Sequence, residues 1–369
     1  MTDTSILFRP LRAGDLALPN RVLMAPLTRN RSEADGTPKA MAETYYAQRA
    51  SAGLLITEAT QISPMGKGYI DTPGIHTQAQ ADAWARIVEA VHAAGGRIAL
   101  QLWHVGRISH VSLLPGGARP VSSSAVRADT KTFTANGFEA CSEPVAMSAG
   151  DIARTIDDYA AAARLAQGAG FDAVEVHGAN GYLLDQFLQD GVNKRDDAYG
   201  GSTQNRMRLL AEVIDRVADV FGPSRVGVRL SPLGEANDIS DSDPEALFGA
   251  VIDMLSARKL AYLHLVEGFS GVDATSQEDR AMLRRLRARY DGAYFGNGGY
   301  DAERAAQAIE EGRADAIAFG RPFIANPDLP ERFRRGAALN EQDQETFYGG
   351  GEKGYIDYPF LDLPQASRH

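Results

Sequence analysis

The sequence predicts an α/β fold, specifically a closed (β/α)8 barrel, on three observations. Eight short apolar or β-branched runs recur along 369 residues. Amphipathic stretches alternate with them, the pattern of parallel strands joined by crossover helices. No Pro/Ser-rich linker divides the chain, and barrels of this class routinely occupy such a length as one unit, so 1–369 reads as a single domain.

Taken in order, residues 6–20 read as a small hairpin turning at Gly14-Asp15, a cap for the barrel floor. The strand runs then follow at 21–27, 54–60, 97–103, 173–177, 225–231, 261–266, 293–297 and 316–320. Near-continuous apolar runs of this length suit parallel strands covered on both faces. Helical periodicity marks 148–169, 204–221, 244–258, 279–290 and 302–311. The first of these opens on Ser148 with Asp151 three residues on, a capping-box form, and ends at Gly168 to Gly170. Asp301 is placed to cap the last. Residues 104–147 break the alternation after the third strand. Insertions of that length usually serve a function, so this one is expected to be a lid over the mouth.

Composition narrows the class. Hydrophobic residues make up 44% and charged residues 23%, ordinary for a globular enzyme. A net charge of −10 argues against nucleic acid as a partner, which needs a basic face. A single cysteine, Cys141, excludes an internal disulfide and any cysteine-ligated zinc or iron–sulfur site. No basic segment leads into an apolar run at the N-terminus, and no run approaches a membrane span. The expectation is a cytoplasmic enzyme without membrane partners, a monomer or weak homo-oligomer.

Barrel enzymes carry their chemistry at the C-terminal ends of the strands. Here those ends hold Pro26, Leu27 and Thr28; Glu58 and Ala59; Gln101; His177 and Asn180; Arg229; Asn297, Gly298 and Gly299; and Gly320 with Arg321. A purely structural barrel does not require polar groups to converge on one rim. Glycines after the seventh and eighth strands free backbone N–H groups for an anion, and Arg321 adds a fork-shaped cation, so these two loops are expected to hold phosphate. The bland alternative is a tight turn beside a salt-bridged arginine.

Several stretches together resemble the Old Yellow Enzyme family. They are Met24 to Thr28, Gln101 to Arg107 around Trp103 and His104, His177 to Phe187, Asn193 to Ser202, Asn205-Arg206 and the tail from Phe347 to Gly351. The similarity runs through nearly the whole chain in order and is closest to the bacterial reductases of N-ethylmaleimide and nitrate esters. It implies a (β/α)8 barrel with tightly bound FMN, reduced by NADPH or NADH, that reduces electron-poor alkenes or nitro compounds.

The resemblance also implies roles. Arg229 would face the N1/O2 side of the flavin, and Gln101 its pyrimidine edge. Thr28 would donate to O4, Pro26 and Ala59 would leave room for the ring, Gly298, Gly299 and Gly320 would hold the phosphate with Arg321, and Leu27, His177 and Asn297 would also contact the cofactor. His177 and Asn180 would polarise a carbonyl or nitro oxygen, and Tyr182 would protonate the α-carbon. Tyr69, Trp103 and Tyr348 would line the substrate pocket. Close bacterial relatives often carry a second histidine where Asn180 stands, so this chain follows a His/Asn variant.

Other readings remain. An isomerase or aldolase wants a strand-end lysine or carboxylate, and only Glu58 qualifies. A dienoyl-CoA reductase type needs an iron–sulfur cluster. A flavin-storage protein shares the FMN contacts but has no use for Tyr182. His76, His92, His110, His264 and His369 lack ligand spacing, so no metal is expected.

Overall fold

A computed structural model describes residues 3–234, 236–268 and 275–362, so His369 lies outside the described residues. The chain forms a closed barrel of eight parallel strands: β1 (Val22–Met24), β2 (Leu55–Ile56 with Thr60–Gln61), β3 (Ile98–Trp103), β4 (Ala173–His177), β5 (Val226–Leu230), β6 (Tyr262–Val266), β7 (Ala293–Asn297) and β8 (Ala316–Phe319). Pairing of β8 with β1, Phe319 opposite Met24, closes the ring.

The run at 54–60 is not one continuous strand. β2 consists of Leu55–Ile56 and Thr60–Gln61, both paired to β3, with Thr57, Glu58 and Ala59 between them. The break has a local cause. Thr57 Oγ1 accepts from the Gln101 backbone N–H at 3.1 Å, standing in for a ladder carbonyl. The Glu58 carboxylate accepts from the Arg29 N–H at 3.1 Å and pulls the chain out of register.

The flanking helices are α1 (Met41–Ala47), α2 (Gln78–Ala93), α3 (Ala149–Gly168), α4 (Arg208–Phe221), α5 (Pro244–Ala257), α6 (Gln277–Arg287), α7 (Ala302–Glu310) and α8 (Leu329–Arg335). Both halves of the α3 capping box form, with Ser148 and Asp151 each accepting from the other's backbone N–H. The predicted helix at 204–221 is divided at Met207, a short turn Thr203–Arg206 preceding α4. Sequence periodicity did not single out α1 or α2. The second opens with a capping box of Thr77 and Gln80.

Alternation along the strands produces two apolar layers. Outward residues such as Val22, Leu100, Val174 and Val228 pack against the helices. Inward residues Leu23, Ile56, Ala99, Ala173, Phe295 and Ala316 fill the lower barrel together with Ala13, Leu16 and Leu18 of the hairpin Leu11–Ala13 and Leu16–Leu18. The hairpin thus seals the floor, and Asp15 N–H donates to Ser224 O at 2.9 Å. The segment 104–147 is built rather than loose: it contains the antiparallel hairpin Lys131–Thr134 and Gly137–Ala140, and its Val121–Ser122 pairs with Val145–Ala146. Among the described residues, no helix is long and apolar enough to cross a membrane.

The floor depends on one glycine. Gly14 has φ +57°, and a Cβ there would lie 2.2 Å from Ser224 O. Gly14→Ala should lower stability by about 1–3 kcal/mol in denaturant titration; an unchanged midpoint would show that the hairpin does not press on the strands above it.

Candidate active site

The upper barrel replaces its apolar layers with polar ones. Register brings Gln101 opposite Glu175, His177 opposite Arg229, and Arg229 opposite His264. All five are buried. Gln101 Nε2 donates to Glu175 Oε1 at 2.7 Å, and His264 Nδ1 lies 2.9 Å from Glu175 Oε2. Arg229 Nη2 donates to Asn297 Oδ1 at 2.8 Å, while Asn297 Nδ2 donates to Ala318 O at 2.7 Å. The Asn297 side chain therefore holds the arginine and strand β8. Burial pushes the Glu175 carboxyl up, but His264, Arg229 and the hydrogen bonds outweigh it and hold it below its ordinary value, ionised.

The end of β4 and the loop after it carry His177, Asn180 and Tyr182 within six residues. His177 Nδ1 accepts from the Ala179 N–H at 3.3 Å, which places the ring proton on Nε2. Burial, reinforced by the charges of Arg229 and His264, depresses His177 well below its ordinary value, so the ring is neutral. Asn180 sits at φ +60°. Its N–H donates to Ser231 Oγ at 2.7 Å, and Asn237 Nδ2 donates to its carbonyl at 2.8 Å. Gly181 follows at φ +73° where a Cβ would lie 2.8 Å from Ala236 O. Its N–H donates to the buried Asp185 Oδ2 at 2.9 Å. Burial lifts the Asp185 carboxyl to about 7.

The aromatic residues converge, though not all on the cavity wall. Tyr182 meets Trp103 and His177 edge-on, each at 5.1 Å between centroids, and Tyr69 stacks on Trp103 at 5.9 Å. The Tyr69 and Tyr182 hydroxyls are 3.0 Å apart. A cavity of about 470 Å³ opens here, lined by Thr28, Asn30, Tyr69, Lys131, Phe133, Phe138, Tyr182 and Tyr348. Trp103, expected on this wall, is 1% exposed and stands behind Tyr69 and Tyr182. Burial raises the Tyr182 phenol above its ordinary value, the hydrogen bonds of Tyr69 and Asn237 pulling partly back. A larger cavity of about 820 Å³, lined by residues of α6 and α7 with Glu267 and Tyr300, contains none of the predicted site residues.

Tyr348 reaches the cavity because the tail is clasped from below. Arg29 Nε donates to Phe347 O at 2.9 Å and Nη2 to Gly354 O at 2.7 Å. Arg31 Nη2 donates to Thr346 O at 2.8 Å and Nε to Gly351 O at 3.0 Å. Glu58, the one strand-end carboxylate open to other chemistry, is buried against Arg29 and lifted by burial to about 7. It has become part of this clasp.

The remaining predicted residues ring the mouth. Pro26, Leu27 and Thr28 follow β1 half-buried, and Ala59 lies in the β2 break at 6% exposure. Gly298 and Gly299 follow β7, Gly299 at φ +73°, and Gly320 and Arg321 follow the neighbouring β8. The Arg321 side chain is exposed and makes no hydrogen bond or ion pair among the described residues. Several buried polar atoms here also lack partners among the described residues: Arg229 Nε, Trp103 Nε1, Asn180 Oδ1 and His264 Nε2. Orphaned donors and acceptors of this kind are costly unless a ligand satisfies them. A planar heteroaromatic ring over Gln101 and Arg229, with phosphate toward Gly299, Gly320 and Arg321, suits the donor set.

Residues that sequence reasoning missed do the positioning. Gln186 Nε2 donates to Val105 O at 3.0 Å and Gly181 O at 2.7 Å, while its Oε1 accepts from the Arg107 N–H at 3.1 Å. It bolts the loop after β3 to the loop after β4. His104, without a derived role, accepts from the Gly106 N–H at 3.0 Å and shapes that loop. Phe133 and Phe138 lie in the segment read as a lid, but nothing in their spacing marked them. Cys141 is buried, and burial pushes its thiol up to about 11. Among the described residues, no three histidine, cysteine, aspartate or glutamate side chains are grouped to hold a metal.

Residues 6–340 match the NADH:flavin oxidoreductase / NADH oxidase family. The chain is 45% identical to 12-oxophytodienoate reductase 1 of Oryza sativa subsp. japonica over 366 residues, 98% of this chain and 95% of that protein. Morphinone reductase superposes with TM-score 0.94 at 52% identity, covering 98% of each chain; it has also been solved in complex with tetrahydroNAD. The Old Yellow Enzyme homologue from Zymomonas mobilis superposes with TM-score 0.92 at 44% identity, over 96% of this chain and 99% of that one. The chain therefore belongs to the Old Yellow Enzyme family of NADH:flavin oxidoreductases, with FMN as its cofactor and a nicotinamide nucleotide as reductant.

Proposed function

We propose that the protein is an ene-reductase acting on small electron-poor alkenes such as enones, maleimides and nitroolefins, with nitro compounds and nitrate esters as further oxidants and NADPH preferred over NADH. FMN, held by Gln101, Arg229 and the loops after β7 and β8, would supply hydride-transfer chemistry between the nicotinamide and the β-carbon of the alkene. His177 and Asn180 hold the activating oxygen. The neutral imidazole donates from Nε2, and the Asn180 amide donates at every pH. Together they stabilise the negative charge that develops on that oxygen.

Tyr182 delivers the proton to the α-carbon. The observation that carries the reading is its position: its phenol lines the cavity, is held edge-on between Trp103 and His177, and is hydrogen-bonded to Tyr69. With Tyr69 as donor in that pair, Tyr182 keeps its own proton for the substrate. A phenol is a weak acid, but the carbanion it meets is strongly basic. Phosphate binding by Gly298, Gly299, Gly320 and Arg321, and ring contacts from Pro26, Leu27, Thr28 and Ala59, complete the proposed cofactor site. Phe133 and Phe138 roof the cavity and favour an apolar substrate body.

Stopped-flow measurement of the two half-reactions tests the assignment. Tyr182→Phe should slow reoxidation by 2-cyclohexenone by about 100-fold or more while leaving reduction by NADPH unchanged; equal loss in both would reject the proton-donor role. His177→Ala should abolish most of the long-wavelength charge-transfer band formed with a phenolic ligand, and an undiminished band would count against the oxygen-binding role. Because His177 stays neutral and Tyr182 protonated, reoxidation should be flat between about pH 6 and 9. A titration near the ordinary histidine value would contradict it.

A further inference from the structure

We propose that Glu175 is a positioning residue: it fixes which end of the Gln101 amide faces the flavin and so makes Gln101 an acceptor for the flavin N3–H. The inference rests on the proposed placement of FMN over Gln101. Glu175 lies two residues before His177 on β4, hence on the same inward face one layer deeper. It is fully buried. A charge inside a barrel is expensive, and the neighbouring inward positions Ala99 and Ala173 show that an apolar filling was available.

Both carboxylate oxygens are committed. One accepts from Gln101 Nε2 at 2.7 Å and the other lies 2.9 Å from His264 Nδ1. A carboxylate can only accept. The Gln101 amide must therefore turn its NH2 toward Glu175, and the proton of His264 must sit on Nδ1. Gln101 Oε1 accepts nothing among the described residues and is the end left for a ligand. The flavin pyrimidine offers one N–H donor, N3–H, between two carbonyl acceptors. An amide free to turn could put either end toward the ring; one locked by Glu175 presents its oxygen to the N3–H, while the second N–H of its NH2 stays free for a neighbouring carbonyl.

The same carboxylate faces Arg229, whose charge helps hold it ionised. It thereby weakens the field that the guanidinium exerts on negative charge in the reduced ring. His264 keeps the carboxylate in place from the far side. A residue singled out by no spacing argument thus has a task in the cofactor site through two intermediaries.

The test uses holoprotein loaded with FMN carrying 15N at N3, with two readouts: exchange of the N3–H resonance with solvent and the reduction potential of the bound flavin. In the wild type the N3–H signal should be resolved and exchange slowly. Glu175→Leu, which removes the acceptor, should speed that exchange by about tenfold or more and weaken FMN binding by about tenfold. Glu175→Gln retains an acceptor oxygen but loses the charge, so it should keep slow exchange and shift the potential upward. Wild-type exchange as fast as in free FMN overturns the proposal even if Glu175→Leu does not fold. So does wild-type exchange in Glu175→Leu, or an unmoved or lowered potential in Glu175→Gln. Gln101→Leu separates the two levels: if it leaves N3–H exchange unchanged, the placement of the ring over Gln101 has failed. If it speeds exchange and Glu175→Leu does not, only the positioning role has.

Discussion

Burial of a guanidinium beside a carboxylate inside the barrel mouth is the constraint on which the rest of the site depends. Arg229 is 7% exposed and Glu175 not at all. Two such charges cost several kcal/mol each unless every lone pair and proton finds a partner. The surrounding residues answer that demand. Asn297 ties Arg229 to β8, while Gln101 and His264 occupy both oxygens of Glu175. One donor is left over for a ligand: Arg229 Nε has no partner among the described residues. The apolar lower barrel and its hairpin floor exclude water from below, so this polar layer works in a medium where charge interactions are strong.

Above that layer, precision comes from a braced loop rather than from a rigid element. His177 terminates a strand, but Asn180 and Tyr182 lie beyond it, and Asn180 adopts a left-handed conformation. Ser231, Asn237, Asp185 and Gln186 hold the loop backbone by hydrogen bonds. Second-layer support of this kind keeps reactive groups within the narrow tolerances that catalysis requires. The tail is treated the same way, Arg29 and Arg31 gripping its carbonyls so that Tyr348 arrives at the cavity.

The fold was legible because parallel strands and crossover helices write distinct periodicities. The convergence of Gln101, His177, Arg229 and Asn297 was legible because strand ends in a barrel share one rim. The misses have physical reasons as well. The β2 break arises from Thr57 and Glu58, whose side chains replace ladder partners, and a continuous apolar run conceals that. Glu175 and His264 sit mid-strand, where inward and outward positions cannot be told apart in strands covered on both faces. Trp103 was expected on the pocket wall, but register alone does not say that Tyr69 would stack over it. The arginine clasp on the tail joins residues more than 300 positions apart through backbone carbonyls, which no side-chain pattern can announce.

Every role assigned to the site depends on the bound flavin. The visible absorption spectrum of the purified protein, recorded before and after incubation with excess FMN and removal of the unbound dye, tests it most directly. The structure predicts a yellow protein holding about one flavin per chain, with the fluorescence of the bound ring altered from that of free FMN. A folded chain that stays colourless after such loading would contradict the placement of a flavin over Gln101 and Arg229, and with it the chemistry assigned to the loop above.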